Sequence, residues 1–443
     1  MSQLADPSRL TASEAARAIA AGTLRSETLV RACLDRIRAR DGEIRAWAHL
    51  DESIALEMAR ARDAGRDGDG PLRGVPVGIK DIIDTEELAS ERGSVIHRGR
   101  RPGRDATATA MLRAAGAVIL GKTVTTEFAC GGAGPTRNPH NPEHTPGGSS
   151  SGSGAAVADY QVPLALGTQT AGSVIRPAAY NGIPAIKPTF GTVPRDGVSF
   201  VADSLDTIGW YGRSIEDLAL VLGVYCGGPT PELDAIVDGR AVRALRIALC
   251  RTPDWSHAGP GVAEALDDAA EALRGLGCTV EAMELPPDFD DLGEAQNQIM
   301  CREMTFWLQA EWRDRRADLS DHISQRLALG ERVGSAELAA AVELVMRSRR
   351  QMPEIFERYD AIVAPSAPGE APAGLQGTGN PILNRIWTVL HLPCVALPVR
   401  RGPGGLPVGV QLVGPSGGDA RLLAIAQHAW RALGSPAGVD PGA

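Results

Sequence analysis

Short apolar runs alternate with amphipathic helical segments along most of this chain of 443 residues. Apolar runs bounded by Gly, Pro or polar residues are typical of buried strands, and apolar residues three and four positions apart are typical of helices. The runs are 75–79, 117–120, 162–166, 245–249, 361–365, 394–399 and 408–413, and the predicted helices are 105–116, 153–159, 262–275, 336–349 and 419–432. This alternation predicts an α/β fold in which a large parallel or mixed sheet is covered by helices.

The N-terminal region predicts three further helices before the first strand. Thr11 and Glu14 have the spacing of a capping box that opens a helix, and Gly22 ends it. A second helix follows, and a third spans about 51–64. We expect a single domain over 1–443, in which the stretch 366–379 is a surface or active-site loop rather than a linker, because apolar strands lie on both sides of it.

The composition excludes several classes of protein. A net charge of −9, with arginines interleaved among acidic residues, leaves no electrostatic case for binding nucleic acid. The chain does not begin with the basic and apolar regions of a signal peptide, and no segment is as long and apolar as a membrane span. The seven cysteines include no Cys-x-x-Cys pair, and the histidines lack a metal-binding spacing. We expect a cytoplasmic protein without metal or cofactor.

Three fragments contain the residue types of an acyl-transfer site. Lys80 ends the first apolar run, Ser149 lies in the Gly- and Ser-rich stretch 147–153, and Ser173 lies in the small-residue stretch 168–176. Alone, such a lysine is more often part of a surface ion pair, and a serine among glycines more often lies in a flexible turn. Together and in this order, they predict amide hydrolysis with serine as the nucleophile and lysine as the base.

A lysine can act as a base only when its amine is neutral, so its pKa must fall several units below the usual value of about 10.4. The apolar run 75–79 before Lys80 is a desolvating environment of the required kind. Asp81 and Asp84 would raise the pKa if they contacted the amine, and the sequence leaves their direction open. The small residues 170–173 let backbone N–H groups converge on an oxyanion, and the glycines before Ser149 permit an unusual backbone, such as a cis peptide bond.

These fragments resemble the amidase signature family. The matching segments are GIKD around Lys80, PGGSSSGSGAA around Ser149 and GTQTAGSVIRPAAYNGIPAIKPTFG around Ser173, and the resemblance extends over essentially the whole chain, with a signature core at about 75–200. It implies a mixed sheet of about eleven strands between helices. It also implies a Ser–cis-Ser–Lys triad in which Ser173 forms the acyl-enzyme, Ser149 relays the proton and Lys80 is the base.

The resemblance assigns further roles around this triad. It implies an oxyanion hole from backbone N–H groups of Thr170, Ala171, Gly172 and Ser173, with support from Ser150, Thr168 and Gln169. It implies pocket walls from 127–134, which contains Gly131 and Gly132, and from 200–210, 300–312 and 378–388. The aromatic residues that could line a wider pocket are Phe128, Tyr180, Trp210, Trp307 and Trp387.

The nucleophile segment departs from the common family pattern Thr-Asp-Thr-Gly-Gly-Ser-Ile-Arg. Gln169 replaces the acid, Ala171 replaces a glycine, and the arginine lies three residues after the serine, at Arg176. This variant resembles the bacterial malonamidase branch, in which the displaced arginine is expected to hold a substrate carboxylate. Because a planar guanidinium binds a carboxylate through two hydrogen bonds, a small substrate with both an amide and an acid, such as malonamate, is predicted.

Two other functions remain open at this point. One is the catalytic subunit of a tRNA-dependent amidotransferase, against which Gln169, the position of Arg176 and the acidic composition argue. The other is a hydrolase of the same chemistry that acts on carbamates, ureas or anilides. The family resemblance suggests a homodimer, although no feature of the sequence indicates an oligomeric state.

Overall fold

The structure, a computed structural model, describes residues 6–66, 70–228 and 244–434. Eleven strands in this part of the chain form one mixed sheet with the order β1-β3-β2-β4-β6-β5-β10-β11-β9-β7-β8. The strands are β1 Trp47–Leu50, β2 Pro76–Lys80, β3 Val118–Thr123, β4 Leu164–Gln169, β5 Ala185–Lys187, β6 Thr207–Tyr211, β7 Arg246–Cys250, β8 Thr279–Met283, β9 Ala361–Pro365, β10 Cys394–Arg401 and β11 Pro407–Val413. The predicted α/β fold with a large mixed sheet is confirmed.

Helices cover this sheet. They are α1 Ala12–Ala20, α2 Ser26–Ile44, α3 Glu52–Asp63, α4 Thr107–Ala114, α5 Ser151–Ala158, α6 Ile175–Asn181, α7 Ile215–Tyr225, α8 Val262–Gly275, α9 Leu292–Trp307, α10 Gln309–Asp314, α11 Asp321–Arg332, α12 Ser335–Arg358, α13 Ile382–Val389 and α14 Asp419–Ala432. The predicted helices 262–275 and 419–432 agree with α8 and α14. The predicted helix 336–349 ends too early, because the buried stripe of α12 continues to Met352. No described helix is long and apolar enough to cross a membrane.

The predicted capping box is present at the start of α1. The backbone N–H of Thr11 donates to the Glu14 carboxylate at 2.9 Å, and the N–H of Glu14 donates to the Thr11 hydroxyl at 3.1 Å. Gly22 follows the helix with φ of +71°, a conformation that costs glycine little. Local sequence therefore sets both ends of this helix.

Three parallel strands position the functional residues. β2 pairs in parallel with β3 on one side and β4 on the other, so their carboxyl ends lie at the same edge of the sheet. Lys80 ends β2 and Gln169 ends β4. Helices α5 and α6 follow the two serine-containing segments, and both are buried along their whole length.

The Gly- and Ser-rich tract belongs to this buried layer and is not a flexible linker. The helix in it begins at Ser151, two residues before the predicted start, and all its residues are buried. A Cβ atom on Gly152 would lie 2.2 Å from the backbone oxygen of Ala46 and 2.4 Å from the backbone nitrogen of Val124. The small residues are therefore required by the close approach of α5 to the backbone of neighbouring segments.

Candidate active site

Lys80 lies at the carboxyl end of β2 with no exposed surface. Its Nζ atom is 2.8 Å from the Ser149 hydroxyl and 2.8 Å from the Thr168 hydroxyl. Ser150 ties the start of α5 to β4, because its hydroxyl donates to the carbonyl of Thr168 and accepts from the N–H of the same residue, both at 3.2 Å. The lysine amine is thus held between two hydroxyl groups.

The surroundings of Lys80 favour the neutral amine. Burial lowers the pKa of Lys80 to about 7, although the charge of Asp206 opposes this shift. Asp81 lies instead 3.3 Å from the buried Lys122, and Asp84 pairs with Arg100. Neither carboxylate therefore pairs with the Lys80 amine. Asp81 follows Lys80 directly, and successive side chains of an extended chain point to opposite faces of the sheet.

Ser149 follows a cis peptide bond from Gly148. Arg176 Nη2 donates to the carbonyl of Gly148 at 2.6 Å and to the Thr378 hydroxyl at 3.1 Å. A Cβ atom on Gly148 would lie 2.6 Å from Thr378 Cγ2, so a side chain at this position would require Thr378 to shift. Residues from α6 and from the loop before α13 thus hold the peptide unit that carries Ser149.

Ser173 lies in the turn between β4 and α6. Within the described chain, no acceptor is in hydrogen-bond geometry with the backbone N–H groups of Ala171, Gly172 and Ser173. A Cβ atom on Gly172 would lie 2.5 Å from the Asn384 side-chain oxygen, so α13 packs directly on this turn. Neighbouring N–H groups without acceptors are suited to stabilise a developing oxyanion.

Gln169 supports this turn from below. Its side-chain oxygen accepts from the N–H groups of Val174 at 2.9 Å and Ile175 at 3.0 Å, and its amide nitrogen donates to the Thr388 hydroxyl at 2.9 Å. Thr388 in turn donates to the carbonyl of Ala171 at 2.7 Å. The Thr388 hydroxyl donates its proton to Ala171, so its bond to residue 169 requires a donor on that residue. The amide of Gln169 supplies this donor, and a carboxylate at position 169 would not.

Asp206 is a site residue that sequence reasoning missed. The Thr170 hydroxyl donates to its carboxylate at 2.5 Å, and the N–H groups of Val201 and Ala202 donate to it at 2.7 and 3.1 Å. Burial raises the pKa of Asp206 to about 6 despite these bonds. The stretch 200–210 was predicted to line the pocket, but it lies beneath Thr170, and no short motif marks its aspartate.

A cavity of about 410 Å³ opens above Ser149 and Ser173. The predicted residues Gly131, Gly132 and Arg176 line it, and so do residues of the predicted segments 300–312 and 378–388. Lining residues that were not predicted are Thr126, His322, Arg326 and Gly377.

The suggested aromatic lining is wrong. Phe128, Tyr180, Trp210 and Trp387 are buried in the protein interior, and Trp307 is on the surface with 47% of its area exposed. None of them lines the cavity over the two serines. An aromatic side chain can lie in the protein core or in the wall of a pocket. The sequence does not distinguish these locations, because tertiary packing determines which one the side chain occupies.

The cavity lining is strongly cationic. It includes Arg176, Arg326 and Arg385, and no Asp or Glu is among the described residues that form it. Arg176 is 3% exposed, and its Nε and Nη1 atoms have no hydrogen-bond partner within the described residues. The Nε atoms of the other two arginines also lack a partner there. The site is therefore suited to a group that carries negative charge.

Known proteins resemble this chain over most of its length. The family model described as Amidase matches residues 28–423. Among the relatives, a glutamyl-tRNA(Gln) amidotransferase subunit from Chloroflexus aggregans is 36% identical, covering 94% of this chain and 95% of the relative.

Two solved structures extend the similarity to three dimensions. One, described as an inhibitor-bound vestigial protein complex that reveals the origins of an s-triazine catabolic enzyme, has a TM-score of 0.87 at 30% identity, covering 96% of this chain and 99% of that one. The peptide amidase of Stenotrophomonas maltophilia has a TM-score of 0.80 at 29% identity, with 96% of each chain covered. By family match, relatives and fold, this chain belongs to the amidase signature family and is a hydrolase of C–N amide bonds.

Proposed function

We propose that the protein hydrolyses a substrate amide through an acyl-enzyme, with Ser173, Ser149 and Lys80 as its catalytic residues. The observation that carries this proposal is the buried, carboxylate-free Lys80 amine at 2.8 Å from the Ser149 hydroxyl, in a site that also contains Ser173. A neutral amine at this place is a base of the strength that acyl transfer near neutral pH requires.

The reaction follows from these positions. As Ser173 Oγ attacks the amide carbonyl, its proton passes to Ser149, and the Ser149 proton passes to Lys80. The N–H groups of Ala171, Gly172 and Ser173 stabilise the oxyanion. Lys80 returns the proton through Ser149 to the leaving nitrogen, the C–N bond breaks, and ammonia or an amine departs. Water then hydrolyses the ester on Ser173 by the same proton route.

We further propose a small acid-amide, such as malonamate, as the kind of substrate. The arginine-lined cavity without a carboxylate supports this choice. Arg176 lies three residues after Ser173, as is expected in the malonamidase branch. Its Nε and Nη1 atoms have no hydrogen-bond partner among the described residues, and a substrate carboxylate would provide an acceptor. Both atoms are covered in this structure, and Arg176 itself is one of the residues that line the cavity.

A second candidate is the amidotransferase subunit, which the 36% identity to such subunits favours. The cavity argues for the stand-alone hydrolase, because a glutamine substrate carries an ammonium group and no Asp or Glu lines the cavity to receive it. We propose that the chain acts as a single domain and forms a homodimer. Gel filtration of the purified chain, together with a glutaminase assay, distinguishes the stand-alone hydrolase from the amidotransferase subunit.

The test of function is ammonia release from malonamate, a longer ω-amic acid, acetamide, an aryl anilide, a carbamate and glutamine, run beside Ser173→Ala. Turnover of the acid-amides that is lost in the variant is expected. Turnover confined to anilides or carbamates would retain the Ser–Ser–Lys chemistry and reject the acid-amide class. Turnover of glutamine alone would favour the amidotransferase subunit.

A further inference from the structure

The positive charge of the cavity comes from two separate parts of the fold. Arg176 lies on α6 beside the sheet edge, where Nη2 contacts Gly148 and Thr378. Arg326 lies on α11 and Arg385 on α13, two helices that both pack against α9. The cavity therefore has one arginine beside the Ser149 segment and two more on its helical wall.

No acidic residue in the described part of the chain forms an ion pair with these two wall arginines. Among the described residues, neither Arg326 nor Arg385 has a carboxylate within salt-bridge distance, and their Nε atoms have no hydrogen-bond partner. The acidic residues that act on Arg385 most strongly, Asp254 and Glu294, do not line the cavity. The wall thus presents two partly buried cations to the space above Ser173.

The two cations repel each other. Burial lowers the pKa of Arg385, and the charge of Arg326 lowers it further. The thiols nearest Arg326, Cys130 and Cys301, have pKa values raised by burial and are neutral near pH 7, so they supply no compensating charge. A bound anion would offset this repulsion.

The cavity is also large for a malonamate-sized molecule. At about 410 Å³ it falls within the range of pockets that enclose drug-sized ligands. An acid-amide of three carbons does not fill a cavity of that size, and Arg326 and Arg385 are among the residues that line it.

We propose that Arg326 and Arg385 form a second anion subsite, so that the preferred substrate is an amide carrying two acid groups. This inference rests on the proposed function and specifies its substrate class. One acid is received at Arg176, and the second lies between the two guanidinium groups of the helical wall. A substrate with one acid group leaves Arg326 and Arg385 without an anion. The protein therefore binds an amide with two acid groups more tightly than an amide with one.

The test compares two amides that differ by a single carboxylate. The terminal monoamide of propane-1,2,3-tricarboxylic acid has two acids, and glutaramate lacks the central one. We expect wild-type kcat/KM to be about ten- to a hundred-fold higher for the two-acid amide. Arg326→Gln and Arg385→Gln should each remove most of this advantage, mainly by raising KM for the two-acid amide.

Controls separate a local effect from misfolding. Arg332→Gln removes an exposed arginine at the end of the same helix α11 and should leave the ratio of the two substrates unchanged. Arg326→Lys retains the charge but not the planar fork, and should retain part of the preference. Equal kcat/KM for both amides in the wild type, with turnover that depends on Ser173, would overturn the second subsite and leave the proposed function intact.

A binding measurement keeps the subsite testable if neither amide is hydrolysed, a result that would count against the proposed function. Calorimetric titration of Ser173→Ala with propane-1,2,3-tricarboxylate and with glutarate measures recognition without turnover. Tighter binding of the tricarboxylate that is lost in Arg385→Gln supports the subsite. Equal dissociation constants for the two acids would reject it.

Discussion

Lys80 Nζ lies 2.8 Å from Ser149 Oγ, and the lysine side chain has no exposed surface. The next residue in the sequence, Asp81, forms an ion pair with Lys122 on the other face of the sheet. Burial and the absence of a carboxylate contact act in the same direction, so this lysine can be neutral near pH 7.

Activity should depend on the protonation of Lys80. Since burial lowers its pKa to about 7, the amine is protonated and inactive as a base below that pH and free above it. We expect kcat/KM for an acid-amide to rise with pH and reach a plateau on the alkaline side, with a midpoint near pH 7. An optimum below about pH 5 would contradict a neutral lysine base.

Asp206→Asn should move that midpoint to lower pH. The Asp206 charge raises the pKa of Lys80, so an amide of the same shape removes a group that favours the protonated amine. The same change weakens the hold on Thr170, so kcat should also fall. The pH profiles of the variant and of Asp203→Asn, an exposed neighbour, provide the comparison. A midpoint that stays in place would show that Asp206 acts on the turn alone.

Gln169→Leu should reduce both stability and kcat. The change leaves the buried N–H groups of Val174 and Ile175 without an acceptor, at a cost of about 1–3 kcal/mol for each group. It also releases Thr388 from the amide nitrogen, so the turn that carries the N–H groups of Ala171, Gly172 and Ser173 is less well positioned. Chemical denaturation and kcat measure the two effects, and the exposed Gln309→Leu is the matched control. Unchanged kcat in a destabilised variant would limit Gln169 to a structural role.

Lys122→Met should destabilise the fold more than it affects specificity. Lys122 and Asp81 form a buried pair at 3.3 Å, and removing one partner of such a pair typically costs about 3–5 kcal/mol. Urea unfolding of the variant measures the loss. Lys122→Met combined with Asp81→Leu removes both charges and should recover part of that stability. A Lys122→Met variant as stable as the wild type would contradict this expectation. It would mean that the Asp81 carboxyl has taken up a proton or bonds to another partner.

Much of the secondary structure follows from local sequence. Hydrophobic periodicity identified α8 and α14 with their observed bounds, because a helix that packs on a sheet repeats its apolar residues every three to four positions. The capping box at Thr11 depends only on residues three positions apart. The extent of α12 was underestimated, since its buried stripe is sparse and includes the polar Ser348.

The sequence by itself determined the α/β alternation, seven of the eleven described strands, the requirement for small residues around Ser149 and Ser173, and the choice of lysine as the candidate base, but it did not predict β1, β5, β6 and β8. These properties depend on residue type and on spacing along the chain. The tertiary structure alone decided that Asp81 faces Lys122, that Asp206 supports Thr170, and that Arg326 and Arg385 meet Arg176 around one cavity. Such contacts join segments far apart in sequence, and which helix faces share a cavity is set by how the helices pack on the sheet.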